Sequence, residues 1–423
     1  MSERLIVISS DGHAGADLYG YKPYLEKRWH EEFDAWAASY VNPWKFLDPR
    51  PETPDGQRLA GASADISLSW DSELRVKSME HDGIVGEVIF PNTATPFVPS
   101  HMLSAPRCQT REEYDRRRAG LQAHTRWLAD FCAEFPTQRA GVAEVLLYDV
   151  DDTIEDVKAI HAAGLRGGVL LPVDGDENGL TPLYYTDYEP LWQVCEDLEV
   201  PVHRHARAPG AGVSPRTGPG GVAIGVLEMA FWDHRALSHL IFSGVFERHP
   251  GLRFVFTEGG VGWIPAELAR LDGVYQMSRL PVEQLGLSQF LRDALKDLTM
   301  TPSEYFARNV WVGASLLTTA EMAVSDQIGI SRLMWGQDYP HSEGTYPYSR
   351  DAYRLLFGQL SDDELKGILS ETAAKIYRFD LAALQPIADR VGPTAEEIRT
   401  PLQTMPPSLS LTFTQTDAEL TGR

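Results

Sequence analysis

Leu5-Ile6-Val7-Ile8-Ser9-Ser10-Asp11-Gly12-His13-Ala14, within LIVISSDGHAGA, sets four β-favouring residues ahead of an acid and a histidine two positions apart. A short, wholly apolar run ending in polar and glycine residues predicts a strand buried on both faces, as in a parallel sheet covered by helices. The pattern recurs down the chain, and eight such runs are predicted as strands: residues 4–9, 84–90, 140–147, 165–171, 199–203, 252–257, 309–313 and 332–336. Apolar spacing near 3.6 predicts helices between them at 71–80, 111–135, 151–163, 188–198, 222–248, 261–276 and 319–328, with 349–358 and 361–378 after the last strand. Eight β/α units are the number that closes a (β/α)8 (TIM) barrel. A doubly wound open sheet would want a glycine-rich phosphate turn after an early strand, and the turn after the first strand has a single glycine before His13.

Length and composition set the outer limits. A chain of 423 residues with 43% hydrophobic content buries a large core. Its 38 Lys and Arg against 60 Asp and Glu give a net charge of -22, which repels phosphate backbones and anionic lipid, so neither nucleic acid nor membrane is an expected partner. Cys108, Cys132 and Cys195 lie far apart with no CxxC pair, which argues against a disulfide framework or a thiolate zinc site and for a reduced, cytoplasmic setting. The opening apolar run is too short for a signal segment or a membrane span. Residues 1–390 are read as the barrel, 14–70 as an aromatic- and proline-rich insertion at its rim, 206–221 as a glycine- and proline-rich rim loop, and 391–423 as a C-terminal extension.

Parallel strands share one carboxyl-end face, so the residues there form a spatial set. Asp11 and His13 follow the first strand, Pro91 and Asn92 the second, His203 and His205 the fifth, Glu258 the sixth, and Asp338 and His341 the eighth. Imidazole and carboxylate are the ligands of a catalytic divalent ion. Each alone has an ordinary reading: Asp11-Gly12 as a turn, His13 as a buried hydrogen-bonded ring, Glu258 as a charge at a helix start, Asp338 as a turn former before Pro340. Together they would have to be independent accidents on one rim. His203 and His205 alternate, so they share a strand face, and either is a candidate ligand.

SSDGHAGA, FSGVFERHPGLRFVFTEGGVGWIP and MWGQDYPHSEGTYP, in this order along the chain, resemble the amidohydrolase superfamily in its family 2 branch, related to aminocarboxymuconate semialdehyde decarboxylase. The resemblance runs from about residue 4 to about residue 380. It implies a (β/α)8 barrel with one or two divalent ions, ligands at Asp11, His13, His205 or His203, and Asp338, and pairing of barrels into a homodimer. It also implies that the decarboxylases of the branch usually carry a histidine where this chain has Glu258.

That departure favours hydrolysis, since a glutamate does not supply a cation near neutral pH unless its pKa is strongly raised. The expected function is a metal-dependent hydrolase of an amide, ester or thioester bond in a small-molecule or peptide-derived metabolite. Asp338 handles the proton of a metal-activated water, with Glu258 second; His341 and His203 steady the developing oxygen charge; Asp11, His13, His205, Glu258 and Asp338 hold the metal. Zinc is the first choice of ion, with manganese or iron as alternatives. The alternative function is non-oxidative decarboxylation of an aromatic or unsaturated acid, and a barrel that has lost catalysis and serves as a scaffold is a third reading.

Overall fold

A computed structural model describes residues 3–40, 66–92, 95–98, 107–173, 179–206, 220–281 and 286–414. Its strands are β1 (Ile8–Ala14), β2 (Gly86–Pro91), β3 (Arg139–Glu144), β4 (Gly168–Leu170), β5 (Val202–His205), β6 (Phe254–Thr257), β7 (Val310–Ala314) and β8 (Leu333–Trp335). They pair in that order, every neighbour parallel. The seam back to β1 closes just beyond β8: Gly12 bridges Tyr339 in parallel, Asp338 N donates to Asp11 O at 3.0 Å, and His13 N donates to Tyr339 O at 2.6 Å. The architecture is the expected (β/α)8 barrel.

Among the described residues the α-helices of six residues or more are α1 (His30–Ser39), α2 (Ser72–Asp82), α3 (Arg111–Glu134), α4 (Val150–Ala162), α5 (Glu189–Asp197), α6 (Gly221–Phe242), α7 (Ile264–Ser278), α8 (Leu287–Ala294), α9 (Pro302–Asn309), α10 (Ser349–Leu356), α11 (Thr372–Tyr377) and α12 (Leu381–Val391). Alternation along each strand splits the core in two. On β6, Phe254 and Phe256 pack outward with Leu237 and Leu240 of α6 and Leu268 and Leu271 of α7, while Val255 points inward to Ile8, Val88, Val142, Leu170, Trp311 and Met334. Both faces are buried, which is why the strands read as unbroken apolar runs. Ala373, Ile376 and Tyr377 of α11 and Leu384 and Ala388 of α12 join the inward cluster beside Ile6 and Val85, which precede β1 and β2, so these helices plug the amino ends of the strands. The opposite end stays available for chemistry.

Several boundaries shift. β1 begins and ends later than 4–9, so Asp11 and His13 lie on the strand, and β5 includes both His203 and His205. The helix expected over 222–248 ends at Phe242, and left-handed Gly244 separates it from a last turn, Val245–Arg248. Helices α8 and α9 were not anticipated. Of the rim insertion, residues 41–65 lie outside the described residues, as do 207–219 of the rim loop and 415–423 of the extension. The described part of the extension is tied to the start of the chain: Thr394 pairs with Arg4, and Leu5 N donates to Pro393 O at 2.8 Å. Among the described residues no helix is long and apolar enough to cross a membrane.

Candidate metal centre

A defect in β1 aims the first two groups. Its register slips between Ser9 and Gly12, and serines fill the gap in the seam: Ser9 Oγ donates to Asp11 O at 2.6 Å and accepts from Gln337 N at 2.9 Å, while Ser10 Oγ donates to Met334 O at 3.0 Å. Such bulges re-aim side chains beside active sites. Gly336 leaves the space this requires, because a Cβ there would stand 2.7 Å from Asp11 Cβ and 2.5 Å from Ser315 Oγ.

Four strands then converge. Asp11 is fully buried; its Oδ2 accepts from Ser315 Oγ at 2.5 Å, and its Oδ1 lies 3.3 Å from His13 Nε2 and 3.4 Å from His205 Nε2. His13 Nε2 is also 3.1 Å from Asp338 Oδ1, while its Nδ1 faces Pro91 O at 3.3 Å. His205 turns its other nitrogen, Nδ1, to Glu258 Oε2 at 3.2 Å. Ligands about 2.1 Å from one ion, at angles between octahedral and tetrahedral, stand roughly 3.0–3.4 Å apart, which is the spacing of these atoms. Neither His13 Nε2 nor Asp338 Oδ2 makes a hydrogen bond, although both are buried, and orphaned buried polar atoms call for a partner. One atom each from Asp11, His13, His205 and Glu258 falls within a 4.8 Å span, as it does for His13, Asp338 and His341, and for Glu258, Asp338 and Glu343. The cluster fits a divalent metal ion, and Asp11, His13, His205, Glu258 and Asp338 are the groups placed to hold one.

Charge leads to the same point. Burial opposes ionisation of Asp11, but His205 and His13 outweigh it and hold the carboxyl far below its ordinary range. Burial likewise opposes charge on His13, but Asp11 and Asp338 win and lift it to about 10. Asp338 is kept below its usual range against burial by His341 and His13. Burial first, then Asp338 and Asp11, pushes Glu258 well above 4.5, a crowding of acids that a cation among them relieves.

The remaining expected residues part company. His341 stacks on His13 at 4.1 Å; its Nδ1 lies 2.8 Å from Asp338 Oδ1 and its Nε2 3.1 Å from Asn92 Oδ1, and the Asn92 amide donates to Ser69 Oγ at 2.8 Å. Two acceptors flank the ring, and although burial disfavours its charge, Asp338 raises its pKa above the ordinary 6.5. His203 lies deeper in the barrel, its Nε2 spent on Gly167 O at 2.9 Å and its ring parallel to Tyr377 at 5.7 Å. Burial lowers its pKa to about 3, so it is a neutral ring of the interior, away from any developing oxygen charge. Of the two β5 histidines, His205 faces the cluster.

A family model described as amidohydrolase (Amidohydro_2) matches residues 92–379. The chain belongs to this amidohydrolase family. Among curated proteins it is 29% identical over 284 residues to a gamma-resorcylate decarboxylase of Rhodococcus jostii (strain RHA1), covering 64% of this chain and 80% of that one. Among solved structures it resembles 5-carboxyvanillate decarboxylase from Sphingomonas paucimobilis, with TM-score 0.61 and 17% identity over 89% of this chain and 100% of that one. It also resembles dihydroxybenzoic acid decarboxylase from Polaromonas sp. JS666 with bound manganese, with TM-score 0.59 and 16% identity over 88% and 97%.

These three relatives are named decarboxylases, and that overturns the expectation of hydrolysis. The inference from Glu258 failed for a local reason. It treated the missing histidine after β6 as the loss of the site's protonatable imidazole, whereas His341 places one in the same mouth, hydrogen-bonded to Asp338. Two further residues went unread. Ser315 stands just past the end of β7, where the rule that found the ligands and Asn92 also applies. Arg75 of α2 carries no local signal: it is buried, pairs with Glu87 at 2.6 Å, donates to His13 O at 2.7 Å and lies 4.9 Å over the Tyr339 ring, so one guanidinium braces the backbone beside two candidate ligands.

Proposed function

We propose that the chain is a metal-dependent, non-oxidative decarboxylase of a hydroxylated aromatic carboxylic acid. The observation that carries the reading is the meeting of Asp11, His13, His205 and Asp338 at ligand spacing in a barrel mouth, in a chain whose matched curated relative is a gamma-resorcylate decarboxylase. When bound, a divalent ion there supplies the positive charge that fixes the acid and steadies the electrons left behind as carbon dioxide departs. Manganese is the ion we put first, because a structural relative is described with it and the carboxylate and imidazole donors accept it.

The chain's own residues manage a single proton. Loss of carbon dioxide leaves the ring carbon needing one hydrogen, so the site requires an acid rather than a base. Asp338 Oδ1 accepts from His341 Nδ1 at 2.8 Å, His341 Nε2 lies 3.1 Å from Asn92 Oδ1, and the Asp338 charge raises the His341 pKa against burial. The proton is held on His341 and reaches the carbon through Asp338 Oδ1, which its neighbours otherwise keep ionised. Phe90, with its ring centre 4.7 Å from that of His205, gives the mouth an apolar wall for an aromatic ring. A small-molecule acid is thus the substrate, and the free thiols Cys108, Cys132 and Cys195 suit a reducing cytoplasm.

The test is to incubate purified, Mn2+-loaded protein with a panel of hydroxybenzoates, following carbon dioxide release and product mass in D2O. One carbon dioxide per substrate consumed and one deuterium at the vacated carbon are expected. A product that gains an oxygen from water, or no turnover across the panel, would refute the reading.

A further inference from the structure

We infer that Glu258 is the positioning carboxylate of His205: it accepts the Nδ1 hydrogen of that ring and so commits Nε2 to the ion, and it neither ligates an ion nor protonates substrate. An imidazole can give one nitrogen to a metal when the other carries the hydrogen, and the partner of the second nitrogen decides which is which. His205 has its two nitrogens on opposite errands, Nε2 toward Asp11 Oδ1 at 3.4 Å and Nδ1 toward Glu258 Oε2 at 3.2 Å. His13 follows the same plan with a different partner, its Nδ1 facing Pro91 O at 3.3 Å and its Nε2 facing the two aspartates. Glu258 is therefore to His205 what a main-chain carbonyl is to His13.

The backbone that carries Glu258 is built to hold such a contact. His205 pairs with Thr257 across β5 and β6, which sets the next residue beside the ring. Glu258 N donates to Gly313 O at 3.1 Å, Gly259 O takes His234 Nε2 at 2.8 Å with the His234 ring stacked 3.7 Å from Trp263, and Val261 N donates to Glu321 Oε1 at 2.9 Å. A loop fixed at three successive points places a carboxylate more reproducibly than a free rim side chain could. The competing role, in which Glu258 joins Asp338 and Glu343 around a second ion, predicts a different ion count.

The inference rests on the divalent-ion reading of the site and not on decarboxylation, so it is tested by metal binding. Mn2+ is titrated calorimetrically into chelator-treated full-length wild type, Glu258→Gln and Glu258→Ala, with thermal melts as folding controls. Proton NMR of the Zn2+-loaded proteins reads the imidazole N–H resonances. One ion per chain is expected in all three proteins. Glu258→Ala should bind about 10- to 100-fold more weakly and lose one downfield N–H resonance, whereas Glu258→Gln, whose Oε1 still accepts from Nδ1, should keep that resonance and most of the affinity. Should the alanine variant fail to fold, Glu258→Asp, one methylene short of the ring, carries the same expectation. Unchanged affinity in Glu258→Ala, or two ions in wild type and one in the variants, would overturn the assignment. Failure of wild type to bind any ion would overturn it together with the metal reading, whatever the activity.

Discussion

Replacing Asp338 by asparagine separates the proton step from metal holding. The side chain is fully buried, with Oδ1 2.8 Å from His341 Nδ1 and 3.1 Å from His13 Nε2. Asparagine keeps the volume and one carbonyl oxygen, so the barrel mouth should not collapse, but the group can neither carry nor pass a proton. A positioned acid contributes roughly 10²–10⁴-fold, equivalent to about 3–5 kcal/mol of barrel-mouth catalysis at 1.36 kcal/mol per decade. His341 is weakened as well, because its raised pKa depends on the Asp338 charge; without that charge the ring falls back toward neutrality, which places the loss toward the upper end of the range. Asp11, His13 and His205 still offer three donors, the number many catalytic sites use, so the ion should stay with affinity reduced by about tenfold. The assay is kcat on the hydroxybenzoate that wild type turns over fastest, at saturating Mn2+, with elemental analysis of the same sample. A variant that retains its ion and runs within a few-fold of wild type would refute the role given to Asp338.

Three further outcomes follow from the packing around the site. Arg75→Met should cost about 3–5 kcal/mol in denaturant unfolding, because it leaves Glu87 buried without its closest guanidinium; a loss under about 1 kcal/mol, read on the scale of single-residue effects, would show that Arg139, 3.8 Å from Glu87, takes over. Gly336→Ala should weaken Mn2+ binding by at least about tenfold, equivalent to about 1.4 kcal/mol, since the new methyl lands 2.7 Å from Asp11 Cβ, and wild-type affinity would show that the bulge yields instead. Burial raises Asp82 from 3.8 to about 6, so folding favours its protonated form; that contribution is present below about pH 4 and is lost as pH rises through about 6. Wild type should therefore lose up to roughly 3 kcal/mol relative to Asp82→Asn between pH 4 and 7, and parallel pH profiles would contradict this.

The barrel was legible because both faces of each strand are buried. Residues such as Phe254, Val255 and Phe256 are all apolar, whichever way they point, and eight such runs leave few architectures open. What alternation could not settle was the starting residue of β1: the slip between Ser9 and Gly12 depends on hydrogen bonds from Ser9 and Ser10 to a strand more than 300 residues away. Asp11 and His13 were found all the same, because the carboxyl-end rule tolerates an error of that size. His203 against His205 was undecidable from spacing, since both point inward; depth decides it, and depth depends on the register with β4 and β6. Helix α9 could have been found, because Thr301-Pro302-Ser303-Glu304 is a capping box with proline at its first helical position.

Ligand chemistry alone leaves hydrolysis and decarboxylation level, because a cation held by carboxylates and imidazoles polarises a water or a substrate acid equally well. The two reactions differ in which way the proton travels, from water to the site in one and from the site to carbon in the other. A carboxylate and a histidine in contact can serve either direction, so the surroundings of the histidine decide. His341 faces Asp338 Oδ1 through Nδ1 and Asn92 Oδ1 through Nε2, and the Asn92 amide in turn donates to Ser69 Oγ. On the decarboxylase reading proposed above, the ring whose charge Asp338 favours is the donor of that proton. Glu258 does not bear on that step, because His341 stands after β8 rather than β6.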